Sequence, residues 1–144
     1  WSDLVGITAA RTTLAEIKSR DVPALLRAYG ERLMAAFNDA AEATKIDAQL
    51  TGMPVCPTVE MLPGEDDELR RKCTALLAQE LACRGVLMNA HPMHSAAHGD
   101  AELEATAAAL REARAVVRHA VTLVRVDEWL RVPLSRPVFR RMVR

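Results

Sequence analysis

Neither sign of charge prevails in this chain of 144 residues, in which 19 Lys and Arg stand against 19 Asp and Glu. A nucleic-acid binder needs a surplus of cations to neutralise phosphates, so the balance speaks against that class. The end of the chain gathers Arg131, Arg136, Arg140, Arg141 and Arg144. It reads as a solvated basic tail, because Trp129 alone is too little aromatic surface for a base-stacking platform. There is no signal-peptide pattern and no apolar run long enough to span a membrane. No GxGxxG, Walker loop or GxSxG elbow occurs, which removes the commonest phosphate cradles and the hydrolase nucleophile turn. The three cysteines, Cys56, Cys73 and Cys83, match no zinc spacing. Cys73 and Cys83 fall in a helical pattern and are expected to be buried, reduced thiols, which fits a cytoplasmic setting. Only three lysines are present, Lys18, Lys45 and Lys72, all on polar faces or loop edges. A Schiff-base lysine needs a pocket that depresses its pKa, and nothing around these three predicts one. The chain opens on Trp1 rather than Met, as expected of a processed product or a piece of a longer protein.

Half the residues are hydrophobic, enough for one domain with a real core. Leu4, Ile7, Leu14 and Ile17 recur at helical spacing, with Ser2 or Asp3 as a cap. Asp21 and Pro23 open a second helix whose apolar face runs Leu26, Tyr29, Leu33, Phe37 and Ala40. From Ile46 the period changes to two, and Ile46, Ala48 and Leu50 predict a half-buried strand. Thr58–Leu62 predicts a second strand, flanked by prolines. Glu65, Asp66, Asp67 and Glu68 suit the positive end of a third helix with Leu69, Cys73, Leu76, Leu77 and Leu81 inside. Gly85 supplies its left-handed C-cap. Val86–Met88 predicts a third strand. A fourth helix begins near Gly99 or Asp100, with Leu103, Ala107, Leu110, Val117, Val121 and Val124 as its apolar set. The expected fold is α+β, a small and mostly antiparallel sheet of about three strands covered by four helices. Residues 1–125 form the domain, and residues 126–144 form a tail that packs on it or on a neighbour.

His91, His94 and His98 with Asp100 are the most tempting chemical cluster. They lack a fourth ligand at zinc spacing, so loop and turn roles are favoured over a metal. Ser95 and His98 have the types of a nucleophile and its base but no placed orienting acid, which favours a structural turn. Met53, Met61, Met88 and Met93 read as core filler.

Several segments, in order along the chain, resemble the C-terminal small domain of class III pyridoxal-phosphate-dependent aminotransferases. They are WSDLVGITAARTTLAEI (residues 1–17), LRAYGERLMAAF (26–37), RGVLMNAHPMHSAAHGDAELEATAAAL (84–110) and RPVFRRM (136–142). The glutamate-1-semialdehyde aminomutase-like branch is the nearest in wording. The family's threonine after the histidine is Gly99 here, although Glu102 can still act in a capping box. Met93 and His94 stand where many members place a substrate-carboxylate arginine.

The resemblance implies a piece of a dimeric enzyme that is not catalytic alone. Its missing large domain would hold pyridoxal phosphate, the Schiff-base lysine and the pyridinium-pairing Asp, and no cofactor is expected on this chain by itself. It implies Trp1, Ser2, His94 and Ser95 as lining of the substrate cleft, with Trp1 and Ser2 facing a second subunit. No catalytic, cofactor or metal residue is assigned here, and neither nucleic acid nor membrane is an expected partner. The competing reading is a stand-alone α+β interaction or regulatory module that binds a partner or small metabolite.

Overall fold

The computed structural model describes residues 4–44, 48–61 and 66–134. Helices α1 (Leu4–Ser19) and α2 (Val22–Thr44) come first. The strands β1 (Ala48–Met53) and β2 (Cys56–Met61) follow. The chain then forms α3 (Asp67–Cys83), α4 (Asp100–Thr122) and the short α5 (Val126–Trp129).

The core lies where α2, α3, α4 and the hairpin meet. Tyr29, Leu33, Phe37 and Ala40 are buried on α2, as their spacing predicts. Cys73, Leu76, Leu77 and Leu81 meet them from α3. Leu103, Leu110, Ala113 and Val117 do so from α4. Each large aliphatic side chain so buried contributes about 2 kcal/mol. One charged side chain joins them. Arg114 is 1% exposed, and its guanidinium carbon lies 3.8 Å from the centroid of the Phe37 ring. Its Nε, Nη1 and Nη2 atoms are buried without a hydrogen-bond partner. Burial pulls its pKa down to about 10.

The helix ends follow the sequence closely. The Asp66 carboxylate accepts from the backbone N–H groups of Glu68 and Leu69 at 2.9 and 3.0 Å, capping α3. Gly85, at φ 80, closes that helix. Gly85 N–H donates to Ala82 O at 3.1 Å, and Val86 N–H donates to Leu81 O at 3.0 Å. At α4 the Gly99 N–H donates to the Glu102 carboxylate at 2.8 Å, the half of a capping box that a glycine still permits.

The sheet is smaller than expected. Among the described residues it has two antiparallel strands, with Ala48 paired to Met61 and Met53 to Cys56 across a Pro54-Val55 turn. Val86–Met88 is not a strand, and two local bonds explain why. Val86 is spent on the α3 closure. The backbone N–H of His91 donates to Asn89 Oδ1 at 2.9 Å, turning the chain away. A single ladder-like bond remains, from Val59 N–H to Ala90 O at 2.8 Å. The opposite edge, on β1, is clamped by a side chain. Leu50 N–H donates to Asn38 Oδ1 at 2.9 Å, and Asn38 Nδ2 donates to Leu50 O at 3.4 Å. Both outward edges of the hairpin are therefore engaged at their midpoints, which blunts strand-to-strand association.

Three further expectations need correction. The described helices number five, because the tail forms α5 where a fourth and last helix was expected to end. Cys83 is exposed, since it sits off the buried face of α3, whereas Cys73 is buried. Val124 lies beyond α4 and is 90% exposed. Apart from these corrections, the helix expected from Leu4, Ile7, Leu14 and Ile17 is present as α1 with its apolar residues exposed: Leu4 by 77%, Ile7 by 60% and Leu14 by 66%. The expected strand residue Ile46, the cap residues Ser2 and Asp3, and residues 136–142 lie outside the described residues.

Candidate functional site

The loop from Arg84 to Gly99 lies over the first half of α2, and the histidines hold it there. His94 Nε2 lies 2.8 Å from the carbonyl oxygen of Leu26. A carbonyl only accepts, so the ring donates from Nε2. Its Nδ1 is buried without a partner. The His94 ring lies 5.0 Å from the Tyr29 ring, centroid to centroid, at a tilt of 37°. His98 meets the same tyrosine edge-on, 5.7 Å away. Tyr29 is thus held between two imidazoles. Burial pushes its hydroxyl pKa up, Glu102 adds to the rise, and Arg32 opposes it.

Ser95 and His98 form a local turn. The Ser95 N–H donates to His98 Nδ1 at 3.1 Å, and Ser95 Oγ lies 3.1 Å from the same nitrogen. His98 N–H closes the turn on Ser95 O at 3.0 Å. With Nδ1 accepting from a backbone N–H, this pair orders the entry to α4. The Glu102 carboxylate is held below its usual pKa, first by the Gly99 N–H and then by its own N–H, with His98 adding to the effect. Arg32 on α2 reaches Asp100 at 2.7 Å, tying the start of α4 to α2. Both partners are exposed, so this bridge is worth less than about 1 kcal/mol.

Between the loop and α2 lies a cleft of about 80 Å³, lined chiefly by Tyr29, Leu33, Met88, Met93, His94 and His98. Met93 is 80% exposed at its edge. One glycine makes the arrangement possible. A side chain at Gly30 would overlap the carbonyl oxygen of Pro54 and crowd the His94 ring. The hairpin tip, α2 and the histidine loop all meet there.

Of the four residues expected to line a substrate cleft, His94 and Ser95 are neighbours in this loop, His94 half-buried and Ser95 exposed. Trp1 and Ser2 lie outside the described residues. The three histidines do not converge. His91 turns to Thr58, with Nδ1 3.3 Å from its hydroxyl, while His94 turns to α2 and His98 to Ser95. Among the described residues no group of three His, Cys, Asp or Glu side chains is placed to hold a metal.

Lys72 is fixed as an ammonium ion. Asp127 and Glu68 each lie 2.8 Å from its Nζ, and those hydrogen bonds raise its pKa, with Asp127 the larger influence. This is the reverse of what a Schiff-base lysine requires. Lys18 is exposed on α1. The described residues therefore do not fit pyridoxal phosphate. Lys72 lines a cleft of about 390 Å³ beside α5, but two carboxylates hold it there as an ion pair, and the 80 Å³ cleft at the histidine loop falls below the roughly 300 Å³ of the smallest ordinary ligand sites.

Tyr29, Gly30 and the Leu26 carbonyl were not identified as site residues from the sequence. Tyr29 carries a signal, its place on the apolar face of α2. The loop that docks on that face carries none.

No protein-family model and no curated protein matches the chain. Its fold is similar to the crystal structure of an omega-transaminase from Sphaerobacter thermophilus, with a TM-score of 0.59 at 18% identity. The match covers 65% of this chain and 24% of the transaminase chain. At that identity the likeness is one of fold.

Proposed function

We propose that this chain is the C-terminal small domain of a class III pyridoxal-phosphate-dependent aminotransferase or aminomutase, of the glutamate-1-semialdehyde aminomutase-like branch. The observation that carries the proposal is the transaminase-like fold, which corresponds to only a quarter or so of the neighbour's chain (24%). The motifs around RGVLMNAHPMHSAAHGD agree with that reading. So does α1, a helix of 16 residues with none buried. A helix of that length is marginal in water without a packing partner. In the complete enzyme its apolar face would rest on the large domain or a second subunit. This domain would supply one wall of the substrate cleft through the His94-Ser95 loop, with Trp1 and Ser2 near a neighbouring subunit. Pyridoxal phosphate, held by the remainder of the enzyme, would supply the electron sink for amino transfer. The enzyme would be a cytoplasmic homodimer.

The test is a titration of the purified chain with pyridoxal phosphate, read by visible absorption. The expected result is no aldimine band. A band that disappears when Lys18, Lys45 or Lys72 is substituted contradicts the proposal and points to a self-sufficient enzyme. The stand-alone module draws its support from the contiguous core of α2, α3 and α4. It predicts a monomeric chain that neither self-associates nor exposes apolar surface to a reporter dye, whereas an uncovered α1 predicts both.

A further inference from the structure

We propose that residues 126–134 form a detachable strap, hinged at Val124, that leaves the α3–α4 face while the rest of the domain stays folded. This inference stands apart from the aminotransferase reading. The hinge is strained. Helix α4 ends in a closure in which Val124 N–H donates to Val121 O at 3.0 Å and Arg125 N–H donates to Ala120 O at 3.1 Å. Such a closure needs a left-handed residue. Helix α3 meets that need with Gly85, at φ 80, but α4 uses a valine, at φ 54. A β-branched side chain crowds its own backbone in that region. Val124 is 90% exposed, so no packing compensates for the strain.

The seat of the strap is mostly polar and faces water. Val126 is the buried residue of the segment, 4% exposed, and Leu130 is only partly covered. Gln79 on α3 clips the strap backbone twice. Its Nε2 donates to Trp129 O at 3.0 Å, and its Oε1 accepts from Arg131 N–H at 2.8 Å. Lys72 holds Asp127 at 2.8 Å, and the His119 and Trp129 rings meet edge-on at 5.5 Å. A segment held by one buried aliphatic residue and exposed polar bonds opens before a core built from three helices. The four residues of α5 cannot persist as an isolated helix. Opening therefore unravels the strap, relaxes Val124, and bares Val126 together with the seam between α3 and α4.

Native-state hydrogen exchange on the full chain tests the proposal. The amides of Glu128 and Arg131 report on the strap, and those of Leu77 and Ala113 report on the core. The strap amides are expected to exchange at least about 100-fold faster than the core amides, at rates that do not rise with low urea, while the core rates do. Val124→Gly should slow strap exchange by about three- to tenfold, the strain relieved less the freedom that glycine adds. Strap amides that share the core's rates and urea dependence would overturn the proposal. So would strap exchange that Val124→Gly leaves unchanged or accelerates. Should that variant fold poorly, the urea dependence of the original chain decides alone.

Discussion

Helices α1 and α4 are both rich in alanine, and both carry leucine and branched aliphatic residues at helical spacing. Their fates differ completely. Helix α4 buries seven residues across its 23, whereas α1 buries none of its 16. The pattern on α4 is answered within the chain by α2 and α3, and the pattern on α1 is answered by nothing among the described residues. Periodicity thus reports that a helix has an apolar face. It does not report whether the cover for that face lies in the same chain. Within the proposed function, α1 and α4 mark the outer and inner boundaries of one domain.

The comparison breaks most visibly under a leucine truncation in each helix. Leu110, fully buried, should cost about 3 kcal/mol as Leu110→Ala. Leu14, 66% exposed, should cost less than about 0.5 kcal/mol as Leu14→Ala. Urea denaturation of the two variants measures both. Comparable losses would mean that α1 is covered in solution, by another copy or by residues outside those described.

Helix α4 also carries a charged residue on its apolar face. Arg114 sits in the core without an acceptor, and the Phe37 ring returns only part of the desolvation penalty. Arg114→Met should therefore raise stability by about 2 kcal/mol at pH 7. The sign of the pH dependence follows from a folded pKa of about 10, depressed below the ordinary arginine value. Below pH 10 both states hold the proton and the full penalty stands. Above about pH 10, up to the ordinary arginine pKa, the unfolded chain holds more protons than the folded one, so stability rises with pH. The gap between the original chain and Arg114→Met should narrow across that window when unfolding is followed at alkaline pH. A gap that widens there would show that Arg114 is compensated.

Two smaller effects sharpen the contrast between elements secured inside the chain and those that are not. Asn38→Ala removes both bonds to Leu50 and should cost about 1–2 kcal/mol. It should also raise the tendency of β1 to pair with other chains, which light scattering would detect. Asp66→Ala removes the side-chain cap of α3 and should cost about 1 kcal/mol in the same urea assay.

The helices could be read from the sequence because their signals are local. Asp66, Gly85 and Glu102 mark their ends through short-range hydrogen bonds, and the buried faces of α2 and α3 follow from spacing. The third strand could not be read correctly. Val86-Leu87-Met88 has strand composition, yet the closure of α3 and the turn at Asn89 claim its backbone first. Arg114 was missed because its charge argues against burial, although its place four residues after Leu110 and three before Val117 puts it on the apolar face of α4. The site was half legible. The Ser95–His98 turn is local and was expected, whereas the docking of His94 on Leu26 joins residues 68 apart in sequence. Gly30 is needed only because Pro54 crosses α2 there, a contact between elements that no single segment encodes.

The most direct test of the central claim is the polypeptide encoded immediately upstream of Trp1, read from the intact gene. The account predicts an upstream large domain that includes a lysine fit for a cofactor Schiff base. A start codon close to Trp1, with no such segment, would contradict it.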